Sequence, residues 1–215
     1  MLGEGIVPSR FEALRASSLT PLVGREEQLN TLLRRWERVR TGTDQVVLIS
    51  GEPGLGKSRI VVAFQDRLQG QPHIQRRYFC SPHHSDTALY PLIDQLERAV
   101  GFGRDDPPSG KLEKLRAVLA PSATSDHDIS LFAELLSLPR GDGIRSLEVG
   151  FARSREKSVL AFMRQIERLA ASEPVLVIFE DAHWSDPTSI ELLNLAIERI
   201  RELPVLLILT FRPEF

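Results

Sequence analysis

Apolar residues are distributed along this chain in two patterns. Uninterrupted runs rich in β-branched residues occur at Val46-Val47-Leu48-Ile49, at Val175-Leu176-Val177-Ile178-Phe179 behind Pro174, and at Val205-Leu206-Leu207-Ile208-Leu209 behind Pro204. Such runs suit strands buried on both faces, as in a parallel sheet. Residues 74–80 predict a further strand. Elsewhere the apolar positions recur at helical spacing. Leu29, Leu32, Leu33 and Trp36 share one face of a helix that opens over residues 21–27 and ends near Thr41-Gly42, while Ile60, Phe64 and Leu68 line a helix running to about Gly70. The stretch 81–172 carries almost no strand signal and four amphipathic helical patterns, at about 88–100, 110–119, 129–138 and 154–171. Asp105-Asp106-Pro107-Pro108-Ser109 and Pro139-Arg140-Gly141-Asp142-Gly143 between them have loop chemistry. Residues 187–201 predict a helix, so the chain closes on strand, helix, strand, the signature of a parallel α/β sheet with right-handed crossovers. Residues 1–20 show Gly, Ser and Pro without a sustained period and predict a lead-in with a short helix around residues 10–15.

The chain has 215 residues, enough for one α/β domain with a substantial core. A net charge of −2 with 26% charged residues argues against bulk attraction to nucleic acid, and Arg34, Arg35, Arg38 and Arg40 read as a solvated helix face. No apolar run reaches the ~18–20 residues that cross a bilayer, and the first nine residues lack a signal pattern, so no membrane and a cytoplasmic location are expected. The single cysteine, Cys80, excludes an intrachain disulfide and agrees with a reducing compartment.

Behind the first apolar run stands Gly51-Glu52-Pro53-Gly54-Leu55-Gly56-Lys57-Ser58, the spacing G-x-x-x-x-G-K-[ST] of a P-loop, with a helical pattern following it. The glycines let the backbone curl with its N–H groups inward around phosphates. Lys57 is placed to reach the outer phosphates, Ser58 to bind Mg²⁺, and the helix dipole points at the same anion. Glu180-Asp181 ends the run at Phe179, where one carboxylate would hold Mg²⁺ and the other would activate water; by position Glu180 is the metal-side residue and Asp181 the base. Arg212 follows the last strand onto the same rim, and on position alone a γ-phosphate contact and a surface arginine are equally good accounts of it. Asp186-Pro187-Thr188-Ser189 reads as an N-cap with Pro at N1. Cys80, His83, His84 and Asp86 match no zinc spacing and read as loop residues rather than a metal site. His183 and Trp184 either sense nucleotide state or pack under the next helix, and the sequence does not separate the two.

Together these motifs resemble the AAA-type, origin-recognition-like ATPase module of the STAND class of signal-transduction NTPases. The resemblance rests on Leu22-Val23-Gly24-Arg25-Glu26, the loop 51–58, Phe179-Glu180-Asp181-Ala182-His183-Trp184-Ser185-Asp186-Pro187 and Thr210-Phe211-Arg212-Pro213-Glu214-Phe215. Tyr78-Phe79-Cys80-Ser81-Pro82-His83-His84 and Leu89-Tyr90-Pro91 are similar to the subgroup found behind bacterial class III adenylate/guanylate cyclase domains, and residues 9–15 look like the joint from such a domain. The resemblance covers about residues 20–215. It implies a P-loop NTPase three-layer sandwich with a parallel sheet of order 5-1-4-3-2, and a helical insertion at about 81–172. It assigns phosphate binding to Gly51–Ser58, Mg²⁺ and water activation to Glu180 and Asp181, a sensor-1 role to Arg212, and the adenine side to Val23, Gly24 and Arg25, which favours ATP over GTP. Against that pattern the chain stops after the fourth strand, so a missing fifth strand, arginine finger and lid are expected, and the chain reads as a fragment or truncated product.

The leading expectation is an ATP-binding regulatory ATPase that acts with a protein partner or fused output domain, with a nucleotide-dependent oligomer in view. The competing readings are a module that binds ATP without hydrolysing it, because finger and lid are missing, and a P-loop kinase, for which no acceptor pocket is visible.

Overall fold

The computed structural model describes residues 23–43, 45–103, 105–138 and 151–214, with the backbone alone for 151–154. The lead-in 1–20 with its short helix, the opening residues Pro21 and Leu22, the loop 139–143 and Phe215 lie outside the described residues. The described elements run α1 (Glu26–Arg40), β1 (Gln45–Ser50), α2 (Lys57–Arg67), β2 (Ile74–Phe79), α3 (Tyr90–Val100), α4 (Pro108–Leu119), α5 (Asp126–Leu135), α6 (Phe151–Ala170), β3 (Val175–Glu180), α7 (Pro187–Arg199) and β4 (Val205–Phe211).

The four strands are all parallel, in the order β1-β4-β3-β2. Side chains alternate across each strand, and both faces of the two central strands are covered. Leu176 and Ile178 of β3 with Leu206 and Ile208 of β4 meet α1 and α2 on one face, through Leu29, Leu32, Trp36, Ile60, Val61 and Phe64. Val175, Val177 and Phe179 with Val205, Leu207 and Leu209 join the larger core built by α3 to α7 on the other. The result is helix, sheet, helix. It explains why β3 and β4 have no polar alternation: either parity meets a packed layer. Among the described residues β1 pairs with β4 alone, and its Leu48 is 60% exposed. No helix of the described residues is long and apolar enough to cross a membrane.

Boundaries shift where capping chemistry takes over from periodicity. Pro108 and Ser109, read as loop, open α4, because proline at N1 has the right φ and no N–H to lose. Helix α5 begins at Asp126 rather than near 129, since the Ser125 side chain accepts a hydrogen bond from the Asp128 N–H. The N-cap reading of Asp186 holds: its carboxylate accepts from the Ser189 N–H at 3.0 Å and the Ser189 hydroxyl at 2.5 Å. The same buried carboxylate also accepts the Leu89 N–H at 3.2 Å, tying the start of α3 to that of α7. Strands β3 and β4 extend past their apolar runs to Glu180 and Phe211, because ladder pairing continues through the polar residues.

Candidate active site at the carboxyl rim of the sheet

The turn between β1 and α2 carries φ of +84° at Gly54 and +81° at Gly56, the left-handed region that side chains with a Cβ resist. Gly56 is the N-cap of α2 and leaves Lys57 and Ser58 as its first residues. The loop is exposed at Glu52, Pro53, Gly54, Leu55 and Gly56, and the Leu55 N–H turns back to the Glu52 carbonyl at 3.3 Å. The Lys57 ammonium bends back and donates to the carbonyls of Gly51 at 2.6 Å and Glu52 at 3.2 Å. From thirty residues earlier in the chain Arg25 donates to the Leu55 carbonyl at 3.1 Å, which fastens the segment before α1 to the loop. Gly24 has φ +71° with its N–H on Glu26, and Val23 stands 82% exposed. A hollow of about 510 Å³ lies between α1 and the free side of β1, lined by Arg25, Gln28, Leu32, Leu48, Leu55 and Lys57 among others.

Glu180 and Asp181 diverge at the end of β3. Glu180 shares the parity of Leu176 and Ile178, and its buried carboxylate accepts from Arg77 Nε at 2.5 Å while Arg77 Nη2 forms an ion pair with the same oxygen. Arg77 comes from β2, reaches Gln65 of α2 at 3.5 Å, and lies over the Phe79 ring at 4.9 Å. Sequence reasoning missed this arginine. The available signal was Arg76-Arg77 inside a strand pattern, where an inward arginine needs a buried acid. Asp181 leaves the strand in a left-handed conformation, φ +55°, and its N–H donates to the Thr210 hydroxyl at 3.0 Å, joining the ends of β3 and β4.

A short 3-10 turn, Ala182–Trp184, follows. It is closed by the Trp184 N–H on the Asp181 carbonyl and the Ser185 N–H on the Ala182 carbonyl, both at 2.9 Å. Burial pulls the His183 pKa below its ordinary value; nearby Asp181 opposes this, Arg212 and Lys57 add to it, and Glu214 opposes it. Arg212 leaves β4 beside this turn, its guanidinium 5.4 Å from the Trp184 ring centre and 3.9 Å from the Glu214 carboxylate. The rim thus gathers the P-loop, Asp181 and Arg212, while Val23 and Gly24 stay at its outer margin. Cys80 is buried against the Ser185 hydroxyl at 3.1 Å, and burial pushes its thiol up to about 12. Residues 80–86 lie between the end of β2 at Phe79 and the start of α3 at Tyr90, where His84 stacks flat on Tyr90 at 3.9 Å.

This constellation can hold a phosphate chain at the loop, a hard cation between hydroxyl and carboxylate oxygens, and a water near Asp181. The family profile of the AAA ATPase domain matches residues 21–208. An uncharacterized protein of Rhizobium meliloti (strain 1021) is 33% identical over 219 residues, a match that takes in 100% of this chain and 20% of that protein. The chain therefore spans about a fifth of the length of the curated relative it matches.

Proposed function

The chain belongs to the AAA ATPase domain family, and from that premise we propose that it is a regulatory module that binds ATP with Mg²⁺ and hydrolyses it slowly as a signalling switch. The observation that carries this reading is the convergence of the P-loop, Asp181 and Arg212 on one rim of one sheet. Glycine geometry at positions 54 and 56 and the exposed Gly56 N-cap at the start of α2 fit a phosphate chain. The oxygens of Ser58 and Glu180 are the hard donors that Mg²⁺ prefers; Glu180 would serve it by exchanging part of its buried pairing with Arg77 for the cation, which held there would neutralise charge developing on the phosphates.

Each side chain then has a defined task. Gly51, Glu52, Pro53, Gly54, Leu55 and Gly56 form the cradle, and the Lys57 ammonium exchanges two backbone carbonyls for phosphate oxygens. Asp181 orients a water and takes its proton; the hydrogen bond from its own N–H to Thr210 fixes where that carboxylate starts. Arg212 supplies positive charge at the terminal phosphate. Val23, Gly24 and Arg25 border the adenine side, which favours ATP. The finer fold reading is the order 5-1-4-3-2, in which a further strand lies along the free side of β1; exposed Leu48 and the hollow beside it support this. The finer family reading is the STAND class, in the subgroup that accompanies class III cyclase domains. A fused output domain or protein partner would receive the signal, in the cytoplasm and through nucleotide-dependent association.

Lys57→Ala should weaken ATP binding at least about tenfold, the value of a charge-assisted hydrogen bond to phosphate. Asp181→Asn should keep binding and lose phosphate release. Calorimetry and a phosphate-release assay on the same proteins decide the matter: turnover at the parent rate in both variants refutes the proposal, and binding without release in the parent leaves a nucleotide-binding module in place of an ATPase.

A further inference from the structure

Both ring nitrogens of His183 are sealed from solvent and have no hydrogen-bond partner. A neutral imidazole always carries one N–H, and a buried donor left unpaired is unfavourable by about 1–3 kcal/mol, so such a group needs an explanation. Its place in the fold offers one. The turn that holds it is fixed to both central strands through Thr210, Asp181 and Ala182. The charged groups that act on the ring are Asp181, Arg212, Lys57 and Glu214. His183 packs on the indole that carries Arg212, and the Gly51 N–H donates to the Phe211 carbonyl at 3.3 Å, so this cluster adjoins the start of the P-loop, the side toward which the outermost phosphate of a nucleotide would extend.

Trp184 gives that position a readout. Its indole lies against the His183 ring, centres 4.9 Å apart and tilted by 45°, and the Arg212 guanidinium sits over the same indole. Among the described residues Arg212 forms its ion pair with Glu214 at 3.9 Å, which is long for such a contact. A guanidinium on an aromatic face at a partly exposed site gains about 0.5–1 kcal/mol, whereas a charge-assisted hydrogen bond is worth more, so a terminal phosphate would draw Arg212 off the indole.

We infer that His183 and Trp184 form a terminal-phosphate reporter: when the outermost phosphate is present Arg212 leaves the face of Trp184, and that departure opens the sealed His183 ring so that its N–H can donate to a phosphoryl oxygen. The inference rests on the proposed binding of ATP at the P-loop. Trp184 also packs against the larger core, so the change is delivered directly to the layer that contains α3 to α7.

The chain has two tryptophans, Trp36 and Trp184. With both replaced biosynthetically by 5-fluorotryptophan, two ¹⁹F resonances result, and the Trp184→Phe variant assigns them. The Trp184 signal should shift on addition of Mg²⁺ with a non-hydrolysable ATP analogue and stay within a third of that shift with Mg²⁺-ADP; the signal of Trp36, buried on the sheet-facing side of α1, should not distinguish the two. His183→Ala should erase the ATP–ADP difference and weaken the analogue about tenfold by calorimetry, while Mg²⁺-ADP, which lacks the terminal phosphate, stays within about threefold of the parent affinity. His183→Asn or His183→Gln, which each return an N–H donor, should restore it in one case or the other. Equal shifts for the analogue and ADP, or a difference that survives in His183→Ala, would overturn the inference. Absence of analogue binding by calorimetry would instead overturn the ATP reading beneath it.

Discussion

Replacing Arg77 by methionine removes the guanidinium that holds Glu180 and lies over the Phe79 ring, and keeps most of the apolar stem. Glu180 has a side chain 3% exposed and Arg77 one 13% exposed, so the pair is close to fully buried. Deleting one partner of a buried ion pair strands the other charge, a loss of about 3–5 kcal/mol. The residual exposure of Arg77 lets some water reach the carboxylate, which places the expected value at the low end, about 3 kcal/mol. For a chain of this size that corresponds to a fall in Tm of roughly 6–12 °C. Glu180→Gln in the same protein removes the stranded charge and leaves a neutral amide. The double variant should therefore recover about 2 kcal/mol relative to the sum of the single variants, which is the coupling energy of the cycle. Urea unfolding followed by circular dichroism on the four proteins measures it, at low salt and again at 0.5 M NaCl. Coupling should persist at high salt, because a buried pair is poorly screened. Additivity within about 0.5 kcal/mol would refute the argument that these side chains form one buried unit.

Gly56→Ala meets open space, with Arg59 Cβ at 3.8 Å, but forces alanine to φ +81°; stability should fall by about 1 kcal/mol, with ATP affinity falling further because the loop relaxes out of its curl, as urea unfolding and calorimetry would record. The Cys80 thiol, with an unfolded value near 9 raised by burial to about 12, contributes stability in full below pH 9 that is lost as pH rises toward 12. In the native protein at pH 8 it should react with a maleimide far more slowly than a free thiol, and labelling at the free rate would contradict its burial. Burial alone would raise the Asp128 pKa, but hydrogen bonds and charge from Arg164, with Ser125 and Arg168, outweigh it and hold it below the usual carboxylate range. Its contribution is complete above about pH 4 and is lost as pH falls through that lowered value. Asp128→Asn should lower stability at pH 7 by about 2 kcal/mol, discounted because both arginines are about a third exposed. The gap between variant and parent should close on acidification below pH 4; a gap that persists there would mean the carboxylate charge is not what stabilises this contact.

The strands and the phosphate loop were legible because their causes are local. An apolar run such as Val205–Leu209 can satisfy itself only between two packed layers, and the spacing from Gly51 to Ser58 encodes dihedrals and donors within eight consecutive residues. The N-cap at Asp186 was legible for the same reason: the carboxylate and the Ser189 N–H lie within one turn. Helix starts at Pro108 and Asp126 were misjudged by two or three residues because periodicity begins only after a cap.

What the sequence could not contain is which distant residue meets which. Glu180 and Asp181 are adjacent, yet a buried arginine 103 residues earlier takes one while the Thr210 hydroxyl 29 residues later holds the backbone of the other. Likewise Arg25 reaches Leu55, and Arg212 crosses to Trp184. Those partners follow from the strand order β1-β4-β3-β2, which sets residues far apart in the chain side by side. The sequence by itself determined the elements and the phosphate chemistry, because short-range dihedrals and burial patterns dictate them. Only the tertiary structure decided the pairing of the buried charges, because desolvation makes each such charge depend on whichever neighbour the packed sheet supplies.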